Sequence, residues 1–235
     1  MGRASAQRKR LSVIAGVLAA AVVGGLVYLL VPMGRSNEGA PEQQGKAQDN
    51  PFATMARRTP GDPMALGRQD APVVMIDYSD YRCPFCAKFT RDLKPELVKR
   101  YVDTGVLRIE WRDFPIFGAE SFDTARAGRA AAAQGKFWQY MDVVHRDAPQ
   151  SGHPELPREK LVGYAGQAGI ADIPRFESDM DNPATLGAVQ ADAAEGSRLG
   201  VPTTPAFLIN GNPVLGAQPL DRFIDTIEKA RTAAR

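Results

Sequence analysis

The hydrophobic pattern divides the chain into one long uncharged run, one stretch without period, and a series of short regular segments. Leu11 to Val31 holds 21 residues without a charge, close to the roughly 20 apolar residues that a membrane-spanning helix needs. Residues 32–68 show no apolar period. From residue 72 onward the pattern becomes regular. Pro72 to Tyr78 is a near-continuous apolar, β-rich run, which suits an interior strand covered on both faces. Pro84 to about Thr104 reads as a helix, because Phe85, Phe89, Leu93 and Leu97 recur at helical spacing. Pro95 inside it predicts a kink, since proline lacks a backbone donor. Val106 to Trp111 is a second strand. Residues 119–198 are helical in pieces, broken at Gly135, around residues 147–157, and near Pro174 and Pro183. Ala206–Ile209 and the run from Pro213 to Leu215 flank Asn210-Gly211, a pair that favours a two-residue hairpin turn. Pro219 to about Thr232 is a closing helix. This order predicts an α/β fold with a helical insertion at about 119–198.

Charge orients the uncharged run. Arg3, Arg8, Lys9 and Arg10, with no acid among them, put +4 in the first ten residues. The positive-inside bias keeps such a tail (1–10) in the cytoplasm. Residues 11–31 are then a transmembrane anchor, with Tyr28 near its outer boundary, and the rest of the chain lies outside the cytoplasm. A cleaved signal peptide is the rival reading. The small-x-small triplet nearby, Ala19-Ala20-Ala21, would leave Val22 to Val31 as an exposed apolar end, which favours the uncleaved anchor; a buried helix of a soluble domain is a third reading. Residues 32–68 contain five prolines and five glycines. They read as a flexible tether with a reach of about 35 Å.

The chain has 235 residues, a net charge of +2 and a pI near 8.6. A basic pI hints at nucleic acid, but the basic surplus belongs to the tail and tether. Residues 69–235 carry −3, so a basic face for nucleic acid is not supported. At 44% hydrophobic and 24% charged, the composition is neither disordered nor collagenous.

The chemistry sits in two cysteines. Cys83-Pro84-Phe85-Cys86 follows the first strand and opens the first helix, so the two sulfurs lie one turn apart on one face. Cys83 falls at the helix N-cap and Pro84 at the first helical position, where a missing N–H costs nothing. Unpaired N–H groups and the helix dipole there favour a negative sulfur. Cys83 is therefore the attacking and attacked thiol, and Cys86 the resolving one. A structural disulfide closing so small a loop would add little. Zinc would need two more ligands, and His145 and His153 stand at no standard spacing. Haem attachment would need a histidine where Ala87 stands, and a cysteine protease would use one cysteine.

Val73 to Ile116 and Gly200 to Phe207 together resemble the DsbA-like branch of the thioredoxin superfamily. More specifically, the first of these runs is similar to the membrane-anchored DsbA-like disulfide oxidoreductases of Gram-positive bacteria. The resemblance covers about residues 69–232. It implies a thioredoxin-like fold with an inserted helical subdomain, no metal or organic cofactor, and a Cys83–Cys86 redox pair. It further implies that Pro205 is a cis-proline facing the pair, and that Thr204 before it pairs with an extended client. Phe85 joins these two on the substrate side. Asp77, six residues before Cys83, matches a buried acid that assists proton transfer at the resolving cysteine; a solvent-exposed strand cap is the alternative. Reduced secreted proteins are the implied clients, and a membrane quinone-linked partner the implied reoxidant. In many such oxidases a histidine occupies the place of Phe85, so this chain departs from the most oxidising pattern. A reductase or isomerase with the same residues, or a binding or metal-chaperone module, remains the alternative.

The remaining expectations are structural. His145 and His153 read as surface residues. Phe137, Trp138 and Tyr140 read as core of the helical block, with an apolar rim for clients as the rival. Arg112 and Asp113 read as a surface pair, and Asp80 as a turn residue.

Overall fold

The computed structural model describes Phe52 and residues 54–234. The expected cytoplasmic tail, the transmembrane anchor and the tether up to Pro51 lie outside the described residues. Among the described residues no helix is long and apolar enough to cross a membrane.

Five strands form one sheet in the order β1-β3-β2-β4-β5. β1 (Ala65–Leu66) pairs with β3 (Leu107–Asp113) in antiparallel sense. β2 (Val73–Ser79) lies at the centre, buried at every position as its unbroken apolar run predicts. It runs parallel to β3, with Asp77 opposite Trp111. On its other side it runs antiparallel to β4 (Ala206–Ile209), with Asp77 opposite Phe207. β4 returns as β5 (Asn212–Leu215). Asn210 and Gly211 turn the hairpin with φ of 43° and 84°, the left-handed pair that a two-residue turn requires.

A parallel pair needs a crossover, which α1 (residues 84–102) supplies. Its segments alternate between α-turns (Pro84–Lys88, Lys94–Leu97) and wider π-turns (Phe89–Leu93, Val98–Val102). The kink expected at Pro95 takes the form of a widened turn. Pro95 has no N–H to donate, and the Lys94 N–H reaches back five residues to the Phe89 carbonyl. Such a π-turn keeps the helix continuous while rotating its later turns.

Three apolar clusters surround the sheet. On one face Met75, Phe89, Leu97 and Phe207 pack with Phe223 and Ile227 of α7 (Leu220–Ala233). On the opposite face Val74, Ile76, Tyr78, Phe114 and Ala206 form a second cluster. The insertion comprises α2 (Ala119–Ala132), α3 (Phe137–Arg146), α4 (Arg158–Gln167), α5 (Ile173–Asp181) and α6 (Pro183–Arg198). Its core, with Phe137, Tyr140 and Phe176, closes on Trp111 and Tyr81. Trp138 packs against both this core and the first cluster. Gly128 of α2 permits the close approach of Tyr81, since a Cβ there would lie 2.1 Å from the tyrosine hydroxyl.

Two sequence expectations fail for a shared reason. The tether does not extend to residue 68: Met64 is buried, β1 joins the sheet, and the Arg57 and Arg58 amides donate to Glu110 at 3.0 and 2.8 Å. Arg112 and Asp113 are not a surface pair but are each 1% exposed. Arg112 bridges Glu110 at 3.0 Å and Glu195 of α6 at 3.3 Å, while Asp113 takes Arg129 of α2 at 2.6 Å. Asp192 of α6 shares Arg129 at 2.5 Å and also meets Arg57 at 2.8 Å. Glu110, wholly buried, receives Arg108 as well, at 2.9 Å. A carboxylate so deep is tolerable only when its acceptor sites are filled, and residues 57–58 supply two of the four donors.

Removing that charge should be costly. Glu110→Gln is expected to destabilise the fold by roughly 3–5 kcal/mol in denaturant unfolding, the usual penalty for breaking a buried ion pair. It should also free residues 55–58, read as new tryptic cleavage after Arg57 and Arg58 in the folded protein.

Candidate active site

β2 delivers the chain to the cysteines through a turn at residues 80–82. The Cys83 amide donates to the Asp80 carbonyl at 3.1 Å, and the Cys83 carbonyl accepts from Ala87 at 3.1 Å. Cys83 itself is extended, with φ −78° and ψ 120°, and Pro84 takes the first helical position. This is the N-cap geometry expected of the motif. Both cysteines are thiols and both are recessed, at 2% and 1% exposure, whereas Phe85 between them is 59% exposed.

The turn before β4 meets them. The Thr204–Pro205 peptide is cis, and the Cys83 thiol donates to the Thr204 carbonyl at 3.2 Å. The structure therefore brings Cys83, Cys86, Thr204 and Pro205 together, from segments more than a hundred residues apart. Pairing of Tyr78 with Ala206 fixes this approach, because the last residues of β2 and the first of β4 share one end of the sheet.

The two sulfurs differ sharply in acidity. The Cys83 pKa is lowered to about 6, chiefly because the Cys86 thiol donates to it. Burial opposes this, while Thr204 and the backbone N–H groups of Cys86 and Phe85 reinforce it. The Thr204 hydroxyl has no competing partner. Cys86 moves the other way, well above the ordinary thiol range, first through burial and then through Cys83. One sulfur is thus poised as a thiolate near neutral pH and the other holds its proton.

Asp77 lies behind Cys86, 3% exposed on β2. The Ser79 hydroxyl donates to it. Burial raises its pKa from 3.8 to about 7, with Ser79 and Lys94 opposing the rise. Its charge also bears on Cys86. A carboxyl that titrates near neutrality beside a thiol can hold or release that thiol's proton.

Side chains around the turn hold the loops that border Cys83. Asp80 does more than make a turn: it accepts from the amides of Arg82 and Ile116 at 2.8 Å and of Phe117 at 3.3 Å. Arg82 donates to the carbonyls of Phe117 at 2.6 Å and Pro154 at 2.9 Å. His153 is exposed as expected, stacked on Phe117 at 3.8 Å. His145 is not a surface residue. It is wholly buried on α3, with Nδ1 2.8 Å from the Thr90 hydroxyl of α1. Burial, with Lys94 and Arg91 nearby, pushes its pKa down to about 3, so it is neutral. Its carbonyl accepts from Arg91 of α1 at 2.6 Å. Met141, one turn before it and also buried, is the local hint that this face of α3 is buried.

Known proteins bear out the same fold. The family model described as Thioredoxin matches residues 59–229. The Na(+)/H(+) antiporter NhaA of Herminiimonas arsenicoxydans is 32% identical over 169 residues, covering 72% of this chain and 26% of the antiporter. The chain thus spans about a quarter of the length of the curated antiporters it matches. The probable disulfide bond formation protein D of Bacillus cereus is 26% identical over 151 residues, 63% of this chain and 70% of that one. Among solved structures, oxidised BdbD from Bacillus subtilis superposes with a TM-score of 0.67 at 22% identity, covering 72% of this chain and 92% of its own.

The acidities predict two outcomes. Alkylation of the reduced protein by iodoacetamide should be half-maximal near pH 6 at Cys83, and Cys86→Ala should raise that midpoint by removing the donating thiol. Asp77 keeps its proton in the fold up to about pH 7 but loses it near 3.8 when unfolded. Its contribution to stability is therefore full below 3.8 and lost as pH rises toward 7. Asp77→Asn should accordingly raise the melting temperature at pH 8 and leave it nearly unchanged at pH 3.

Proposed function

Since this chain belongs to the thioredoxin family, we propose that it is a DsbA-like protein thiol–disulfide oxidoreductase, acting through Cys83 and Cys86 to place disulfides in other proteins. The observation that carries this is the unequal placement of the pair: Cys83 caps α1 with its thiol 3.2 Å from the carbonyl of the cis Thr204–Pro205 turn, while Cys86 lies buried one turn deeper, a difference that lowers the first pKa and raises the second. A structural pair has no use for such a difference. The likeness to a disulfide bond formation protein of Bacillus cereus supports the same reading.

In the proposed cycle a client thiolate attacks Cys83 of the Cys83–Cys86 disulfide. The sulfur–sulfur bond breaks, Cys86 leaves with the electron pair, and it takes a proton supplied at Asp77. The client lies along Thr204–Pro205 as an extended strand, with Phe85 and Ile116, 59% and 43% exposed, offering apolar contacts on either side. A second client thiolate then attacks the client's own sulfur in the mixed disulfide. Cys83 departs as a thiolate, well stabilised where it sits. The client gains a disulfide and the enzyme gains two electrons. A membrane quinone-linked partner removes these electrons in this reading. No metal or organic cofactor is required of the domain.

The location belongs to the same proposal. The uncharged run 11–31 behind a +4 tail supports a single-pass anchor with the thioredoxin-like domain outside the cytoplasm, where disulfides persist. Phe85 favours a second direction of flow. It places no cation beside the Cys83 thiolate, so a reductase or isomerase built on the same residues is the competing reading.

Potential decides between them. Equilibration of the protein with glutathione should give a value well above the roughly −270 mV of thioredoxin, and a value near thioredoxin's would replace the oxidase reading by the reductase. With Cys86→Ser, client proteins should accumulate as mixed disulfides through Cys83 in cells, whereas Cys83→Ala should trap none. A membrane-impermeant thiol reagent applied to intact, reduced cells should label Cys83; protection from it would contradict the outside location.

A further inference from the structure

A cleft of about 290 Å³ opens beside the cysteine motif, lined by Pro84, Phe85, Lys88, Arg91 and Asp92 of α1 and by Gln150. The five α1 residues recur at helical spacing and so share one face. Gln150 belongs to the loop that follows α3, so the cleft lies between the active-site helix and the insertion. Neither Thr204 nor Pro205 lines it.

The charges in the cleft are not equivalent. Lys88 and Asp92 meet at 2.8 Å, both about half exposed, and cancel one another. Arg91 has no carboxylate partner among the described residues. Its Nη1 donates instead to the carbonyls of His145 at 2.6 Å and Ala148 at 3.2 Å, where α3 ends. A guanidinium carries five N–H donors. Two are engaged at that helix end. Nε and Nη2 hold the other three, have no protein partner among the described residues, and are not buried atoms. These two nitrogens form an edge that matches the two oxygens of a carboxylate. A helix C-terminus is served by any cation, so docking of α3 does not account for the unused fork. The anchored Nη1 also limits the side-chain freedom that binding an anion would cost.

We propose that this cleft is a subsite for a carboxylate of the client, with Arg91 as the residue that binds it. The proposal rests on the disulfide-exchange reading and adds to it a preference among clients.

Spacing sets where that carboxylate stands. Arg91 follows Cys83 by eight residues, about 12 Å along a helix, and helical side chains lean back toward the helix start. An extended client advances about 3.3 Å per residue, which places its acid roughly two to four residues from its cysteine. Phe85, 59% exposed, stands between and offers the intervening client residue an apolar contact. Residues 69–235 carry −3, so the overall field of the domain repels acidic clients, and a preference for them has to arise locally.

The test uses the oxidised full-length chain and short peptides with one cysteine. Glu is placed at the predicted distance before the cysteine in one peptide and after it in another, and each has a control with Gln in its place. The second-order rate at which each peptide reduces the Cys83–Cys86 disulfide is measured. One Glu peptide should react about fivefold faster than its control, as a partly exposed ion pair allows. Arg91→Met should bring that ratio to one. So should Gln150→Glu, which sets a carboxylate in the cleft from an exposed loop position and decides the matter if Arg91→Met does not fold. Asp92→Asn should leave the ratio undiminished. A ratio of one for both Glu peptides in the unaltered chain, or a preference that survives Gln150→Glu, overturns the proposal. Fluorescently labelled peptides with Ser in place of Cys are measured alongside by anisotropy. If no peptide exchanges, the enzymatic reading fails, while tighter binding of the Glu than the Gln peptide, or its absence, still decides the cleft.

Discussion

The two sulfurs at the start of α1 are one helical turn apart and differ in what surrounds them. Cys83 caps the helix, so backbone N–H groups and the Cys86 thiol face it, and the Thr204 carbonyl holds its proton when it has one. Cys86 is one turn deeper and fully buried, with the Asp80 amide as its backbone donor and the Asp77 carboxyl acting against its ionisation. That asymmetry requires a helix that begins at Cys83 and nowhere else. It also requires a strand that ends just before it and a second strand that arrives from the opposite direction at the same edge. β2, α1 and β4 meet these three requirements. The rest of the molecule keeps them from moving relative to one another.

The insertion performs much of that restraint. Tyr81, two residues before Cys83, is stacked among Trp111, Tyr140 and His145 at centroid separations of 5.1–6.4 Å. The active-site turn is therefore built into the insertion's core rather than laid upon it. Asp80 and Arg82 flank that tyrosine and tie down the loops on either side. Burying a tyrosine beside the nucleophile places the stiffness where the geometry is needed. The cost is visible as a hydroxyl without a partner.

Features legible in the sequence are those whose cause is local. The hairpin could be read from Asn210-Gly211, because two consecutive positive φ values are a property of those residues. The position of Cys83 could be read from the strand before it and Pro84 after it. Pro205 needed the resemblance, since nothing local separates a cis from a trans proline. Features that escaped depend on partners far along the chain. Arg112 and Asp113 look like surface charges until Arg129, Asp192 and Glu195 are brought to them across the insertion. Residues 57–66 lack apolar period because the amides of Arg57 and Arg58 hold them to Glu110 and β1 pairs with β3. His145 is polar by type and buried by context. The helix containing Pro95 carries the signal for a bend, and a five-residue hydrogen bond resolves the missing donor in a way that periodicity does not encode.

The two margins of the sheet have a bearing on the company such a molecule keeps. One margin is β1, only two residues long, and the other is β5, where Pro213 stands opposite Leu208. A two-residue strand offers too short a ladder to template another chain, and a proline interrupts the row of donors on the far side. Unfolded polypeptides are prone to add themselves to open sheet edges, so a domain with long bare margins would gather them irreversibly. Here neither rim invites that growth. In the proposed reading, an extended client is left with the turn beside Cys83 as its place to dwell, and its stay ends when the sulfur bond does.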